Sequence, residues 1–209
     1  VSVRLLGIDT GFTATGLALV EWDGMAARLA RWTTITTATT PKKRRLLVVD
    51  DHLRRIREIR SGISAFLGPR GGVDVASMEA FSQARNAAAA ARQAFGYAVA
   101  VVELGILPIA QFTPQEIHKR LGVPKRPPLP KSAPKGCSKE QERAADKARR
   151  DAAAANKTAV WAHVVGSGLC AGPWGELTEH ESDAACAALA CLVPSPIDLV
   201  LAVQAGRSP

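Results

Sequence analysis

Two apolar runs in this chain each end on an acid. Residues 3–8, Val-Arg-Leu-Leu-Gly-Ile, lead into Asp9, and residues 73–78, Val-Asp-Val-Ala-Ser-Met, lead into Glu79. A third acid, Asp183, follows His180 at the start of a helical segment rich in Ala, Leu and Cys. Short apolar runs of this composition read as buried strands. A carboxylate at the edge of a buried sheet is costly unless it is paired or holds a metal. One shared divalent-metal site accounts for all three acids, and metals held by carboxylates suit phosphodiester cleavage.

The chain has 209 residues, 47% of them hydrophobic. That supports one sizeable core with an insertion, so a single domain over residues 1–209 is expected. No apolar stretch reaches the roughly 18 residues of a membrane span. The first residues follow a strand pattern and not that of a signal peptide. These features predict a cytoplasmic protein with no membrane partner. The formal net charge of +8 favours polyanions, nucleic acid first. Cys186 and Cys191 read as core thiols, and Cys137, in a loop rich in Pro and Lys, as exposed.

Strands are expected over residues 3–8, 15–21 and 28–36, with Asp23-Gly24 as a hairpin signal. Residues 43–66 carry Leu46, Leu47, Val49, Leu53, Ile56, Ile59 and Ile63 at helical spacing, and Gly68-Pro69 stops that helix. A strand over 73–78, an Ala-rich helix over 86–103 and a strand over 106–112 follow. Thr113 caps a helix that begins at Pro114 and ends near Gly122. This order predicts an α/β fold, a mixed five-stranded sheet with helices on both faces.

Residues 123–156 break the pattern. The first part interleaves five prolines with Lys125, Arg126, Lys131 and Lys135 and should be extended. Residues 138–155 have high helix propensity, but their apolar stripe is only alanine. Residues 156–165 form a better helix, with Val160, Trp161 and Val164. Residues 166–175 read as a loop, and Thr178 as the cap of a last helix to about Leu192. The tail beyond Pro194 holds an apolar patch of unassigned use.

Gly7-Ile8-Asp9-Thr10-Gly11 with Thr15-Gly16, Met78-Glu79-Ala80-Phe81 through Arg85-Asn86, Leu107-Pro108 with Thr113-Pro114, residues 157–165, and His180-x-x-Asp183-Ala184-Ala185 stand in order. Together they resemble the RuvC family of Holliday-junction resolvases, in the RNase H-like superfamily. Two departures stand out. The insertion replaces a short basic connection. Phe81 follows the second acid by two positions where well-known members have an aromatic residue three positions on, and Ser82 takes that place.

The resemblance implies an endonuclease that acts as a homodimer on four-way DNA junctions, with two Mg²⁺ ions per active site and Mn²⁺ as a substitute. It implies a cytoplasmic setting in a bacterium or a phage-infected host. Asp9, Glu79, His180 and Asp183 would be the metal ligands and Lys157 a contact to the scissile phosphate. His180 and Asp183, three apart, share a helix face, whereas Glu179, four before Asp183, rivals His180 as a ligand. Phe81, Arg85, Asn86, Lys125, Arg126, Lys131, Lys135, Lys139 and Lys157 are candidate DNA contacts, with Arg143, Lys147, Arg149 and Arg150 behind them. The helix over 86–103 suits either a dimer surface or packing on the sheet.

Each residue also has a plainer reading. Asp9 before Thr10-Gly11 suits a turn, Glu79 an exposed strand end, Asp183 the dipole of a helix start, Lys157 a solvated helix start, and the basic insertion a solvated linker. Three rival functions stand beside the resolvase. Asp9-Thr10-Gly11-x-Thr13 also resembles the phosphate loop of actin-like ATPases and sugar kinases, but those need two such domains, so no nucleotide cofactor is expected. The other rivals are a branched-DNA or flap nuclease of phage type and a non-catalytic module that binds junctions.

Overall fold

The structure is a computed structural model. It describes residues 2–41, 47–68, 72–80, 87–105, 107–125, 127–134 and 136–192, with the side chains of 87–93 and 95 left aside. Three antiparallel strands open the chain: β1 (Val3–Asp9), β2 (Ala14–Trp22) and β3 (Ala27–Thr36). Helix α1 (Val48–Leu67), strand β4 (Val75–Glu79), helix α2 (Ala87–Glu103) and strand β5 (Ile109–Phe112) follow. Helices α3 (Pro114–Arg120) and α4 (Lys139–Gly166), strand β6 (Cys170–Ala171), a 3₁₀ turn (Trp174–Glu176) and helix α5 (Glu179–Ala190) complete it.

The sheet order is β5-β4-β1-β2-β3-β6. It contains the five expected strands and adds β6, two residues long, parallel to the start of β3 inside the segment read as a loop. A strand of two residues leaves no alternation to read in a sequence. Among the described residues no helix is long and apolar enough to cross a membrane.

Side chains alternate between the two faces of each strand, so each strand serves two cores. On one face Leu6, Ile8, Leu17, Leu19, Ala76 and Met78 pack with Ile59, Ile63 and Phe66 of α1 and Ala100 of α2. On the other, Leu5, Ala18, Val20 and Val75 pack with Ala184 to Cys191 of α5, Val160 and Val164 of α4, and Ile117 of α3. Helices thus cover both faces.

Helix α5 lies unusually close to the sheet because the residues beneath it lack bulk. A β-carbon at Gly7 would fall 1.8 Å from the Ala184 carbonyl oxygen, and one at Gly16 would fall 2.0 Å from that of His180. Real β-carbons never approach so near, so only glycine lets the helix backbone rest there. Ser77 Oγ donates to the Ala187 carbonyl at 2.8 Å and ties the far half of α5 to β4.

Helix α1 departs from the expected apolar stripe. Leu47, Val49 and Leu53 are exposed, and Leu46 lies outside the described residues. The buried face is instead Asp51, Arg55, Ile59, Ile63 and Phe66. The polar pair is tolerated because it is satisfied. The Thr40 amide donates to Asp51 Oδ1 at 2.9 Å, as does Arg54 Nη2. These bonds, Thr40 first and Arg54 next, hold the Asp51 carboxyl far below the usual range. Arg55 donates to the Phe12 carbonyl at 2.8 Å and to Thr37 Oγ1 at 2.9 Å, and its guanidinium stacks 3.9 Å from the Phe12 ring centre.

The second half of the insertion runs on into the helix that follows it. Lys139–Gly166 contains no proline and no glycine before Gly166, and it forms one continuous helix. Ser138 and Gln141 start it with a reciprocal capping box. Only Val160 and Val164 of α4 are buried, so its first half projects from the body.

Candidate active site

Strand pairing explains why the acids meet. Strands β1 and β4 are parallel and in register through Ile8 and Met78, so the next residues, Asp9 and Glu79, end the two strands side by side. Ile8 and Met78 face the α1 side. Alternation therefore turns Asp9 and Glu79 to the opposite face, the one covered by α5. Gly16 pairs with Asp9 across β1 and β2, and His180 sits directly over Gly16. The first turn of α5 is thus laid across the strand ends. Thr178 caps that helix in a reciprocal box with Glu181, which directs His180 and Asp183 toward the acids.

His180 Nδ1 lies 2.7 Å from Asp9 Oδ2. Lys157, from the middle of α4, places Nζ 3.2 Å from Asp183 Oδ2 and also pairs with Glu179. Glu79, Lys157 and Asp183 line one cleft of about 210 Å³ with Pro114, Ile117 and His118 of α3 and with Val160 and Cys186.

The electrostatics record crowding. Burial pushes the Glu79 carboxyl up to about 7, and the charges of Asp9 and Asp183 add to that, with Lys157 opposing. Burial also raises Asp183, offset in part by Lys157. The hydrogen bond to Asp9 raises His180 above the ordinary imidazole range. Burial alone would lower Lys157, but Glu179 and Asp183 outweigh it and the ammonium is held more firmly than usual.

As the side chains stand, no group of three or more His, Cys, Asp or Glu among the described residues is arranged to hold a metal ion. The contacts account for this. His180 engages Asp9 while Lys157 engages Asp183, and Glu79 stays between them at raised pKa. The donor set still fits a hard divalent cation, being mainly carboxylate oxygens whose mutual repulsion such a cation would relieve. Glu179, the rival ligand, is drawn away to Lys157.

Among the proposed DNA contacts, Lys125, Lys131 and Lys139 are exposed. Phe81, Arg85, Asn86, Arg126 and Lys135 lie outside the described residues, as does the tail from residue 193. Helix α2 packs toward the sheet, its Gly96 against the Gly11 backbone, while Val102 is 74% exposed. His118 also reaches the cleft: the Thr113 capping box aligns α3 so that residues 114, 117 and 118 follow one face, here the wall of the cleft.

A family model described as crossover junction endodeoxyribonuclease RuvC matches residues 5–123. Over 122 residues the chain is 28% identical to the crossover junction endodeoxyribonuclease RuvC of Thermomicrobium roseum, covering 57% of this chain and 68% of that protein. Among solved structures it resembles T. thermophilus RuvC in complex with a Holliday junction substrate, with a TM-score of 0.61 at 18% identity over 91% of this chain and 93% of the other. A second Thermus thermophilus RuvC structure matches at a TM-score of 0.56 and 19% identity, with the same coverage. At these identities the structural likeness establishes the fold.

Proposed function

The chain belongs to the RuvC family of crossover junction endodeoxyribonucleases, and on that premise we propose that the cleft at the ends of β1 and β4 resolves four-way DNA junctions by metal-dependent phosphodiester hydrolysis. The observation that carries this reading is the meeting of Asp9, Glu79 and Asp183, from three distant parts of the chain, beside one lysine. A plain turn former, strand-end acid and helix-start acid have no reason to share a site.

Asp9, Glu79, His180 and Asp183 would hold the metal, with Mg²⁺ as the native ion, two per site, and Mn²⁺ as a substitute. Bound there, the ions supply an activated water and stabilise the leaving 3′ oxygen, which leaves a 5′ phosphate. The residues themselves do the rest. Gly7 and Gly16 seat α5 so that its acid and imidazole reach the strand ends. Lys157, held at the cleft by Glu179 and Asp183, presents positive charge where a phosphate enters and stabilises the charge that builds on it. His180 serves as a ligand only when neutral, so protons compete with metal at acid pH. The basic insertion supplies further phosphate contacts, Lys125 and Lys131 among those described.

Two copies of the site are needed for paired cuts, and a two-fold homodimer matches the near symmetry of a four-way junction. Exposed Val102 on α2 suits that contact. We place this activity in the cytoplasm, where its DNA substrate lies.

The test is cleavage of a labelled synthetic four-way junction in Mg²⁺ beside linear duplex, flap and fork. Paired, symmetric cuts confined to the junction, with 5′ phosphate ends, are expected. Equal cutting of flaps and forks would replace resolution with general debranching of DNA.

A further inference from the structure

Helix α4 is 28 residues long, and its first half lies outside both cores. Successive residues turn by about 100° and rise about 1.5 Å along a helix axis. On that wheel Lys139, Arg143, Lys147, Arg150 and the active-site Lys157 fall within an arc of about 80°. Lys139 and Lys157, eighteen residues or five turns apart, share one direction. Lys139, Arg143, Lys147 and Arg150 are exposed, and none of the four makes an ion pair among the described residues. The acids of this helix, Glu140, Glu142, Asp146 and Asp151, border the arc on its two sides.

The neighbouring side of the helix is already occupied. Leu129 of the proline-rich segment closes a pocket with Asp146, Arg149, Arg150 and Ala153, and Asn156 Nδ2 donates to the Pro127 carbonyl at 3.4 Å. That segment braces α4 at the edge of the basic arc, beside Arg150, and leaves Lys139, Arg143 and Lys147 open to solvent. A helical projection with only alanine for an apolar stripe has no core to reward it. Its organised feature is a row of cations that ends at the cleft.

We propose that this row is a docking rail for one duplex arm of the DNA substrate. The arm leaves the cleavage site at Lys157 and runs outward along α4, gripped through its phosphates by Arg150, Lys147, Arg143 and Lys139. The rail is about 27 Å long, which spans about eight base pairs at 3.4 Å each. Contacts of this kind set the direction of the arm and carry no base preference. The inference rests on the DNA-junction reading above and adds to it a path and a length.

The experiment compares the wild-type chain with K139A/R143A/K147A/R150A on an end-labelled four-way junction without divalent metal, so that binding is read apart from cutting. Alanine favours the helix, and circular dichroism checks that the fold is kept. Hydroxyl-radical footprinting should show wild-type protection reaching about eight base pairs along one arm from the crossover. In the variant that protection should shrink to the crossover itself. The slope of log affinity against log salt should fall by up to about 3.6, or about a hundredfold less affinity lost between 50 and 200 mM salt. R57A, which removes an exposed arginine from α1 on the opposite face of the sheet, should retain the long footprint. An unchanged footprint and slope in the quadruple variant would overturn the rail while leaving the nuclease reading intact. A wild-type chain that binds no junction at all would sink both.

Discussion

Glu79→Gln is expected to abolish junction cleavage and at the same time make the metal-free protein more stable. Burial first, and then the charges of Asp9 and Asp183, disfavour the charged carboxylate and push its pKa up to about 7. The sign follows from proton linkage. The unfolded carboxyl titrates near 4.5 and the folded one near 7, so between those values the folded chain holds the extra proton. Stability therefore falls as pH rises through this window, by on the order of 3 kcal/mol in full. Glutamine removes the charge and the fall with it. At pH 8 without metal the variant should melt roughly 6–12 °C above the wild type. Mg²⁺ should reverse the ranking, since the wild type gains from a ligand that binds only its folded form. Melting curves at pH 5 and pH 8, with and without Mg²⁺, check all three statements. A wild type insensitive to both pH and Mg²⁺ would mean that the crowded acids are not a metal site.

Arg55→Ala should be the most damaging single change away from the cleft. Its guanidinium is buried and holds the Phe12 carbonyl, Thr37 Oγ1 and, at 3.3 Å, Thr13 Oγ1. Phe12 is packed between that guanidinium and the His52 ring, whose centre is 5.3 Å away. Truncation leaves these acceptors buried without the donor and opens a gap beside Phe12, at a cost of about 2–4 kcal/mol. In a chain of this size that lowers Tm by roughly 5–12 °C. The loss also reaches the site, because Phe12 and Thr13 belong to the turn that follows Asp9. Lysine keeps the charge but cannot reproduce the planar fork, so Arg55→Lys should restore only part of the stability. Thermal melts of both variants decide it, and an unchanged Tm in Arg55→Ala would show that the network is incidental.

The strands that carry Asp9 and Glu79 were legible because an apolar run needs no partner to declare itself. So were the starts of α3 and α5, since Thr113 and Thr178 each stand just before their helix. What escaped the sequence depends on partners distant along it. Asp51 and Arg55 look like surface charges on an apolar helix, and their burial makes sense only beside Thr40, Phe12 and Thr37. Leu47, Val49 and Leu53 fit the same helical period and face solvent, because period alone does not say which face meets the sheet. The grip of Glu179 on Lys157, 22 residues earlier, appears only once α4 and α5 are docked, so a residue weighed as a ligand turns out to hold the lysine. The continuity of α4 could be argued from the lack of Pro and Gly, but its alanine stripe gave no reason to extend it into solvent. The close seat of α5 rests on Gly7 and Gly16, which in the sequence read as parts of a turn motif and not as the floor beneath a helix.

The most direct test of the central claim is to measure binding and cleavage of one labelled four-way junction by the wild type, Asp9→Asn and Asp183→Asn in Mg²⁺. Each change removes a charge from the proposed metal site and keeps the shape of the side chain. Both variants should bind the junction within about twofold of the wild type and cut it at least a hundred- to a thousandfold more slowly. Cleavage that survives in both variants would contradict the account and return these acids to a structural role.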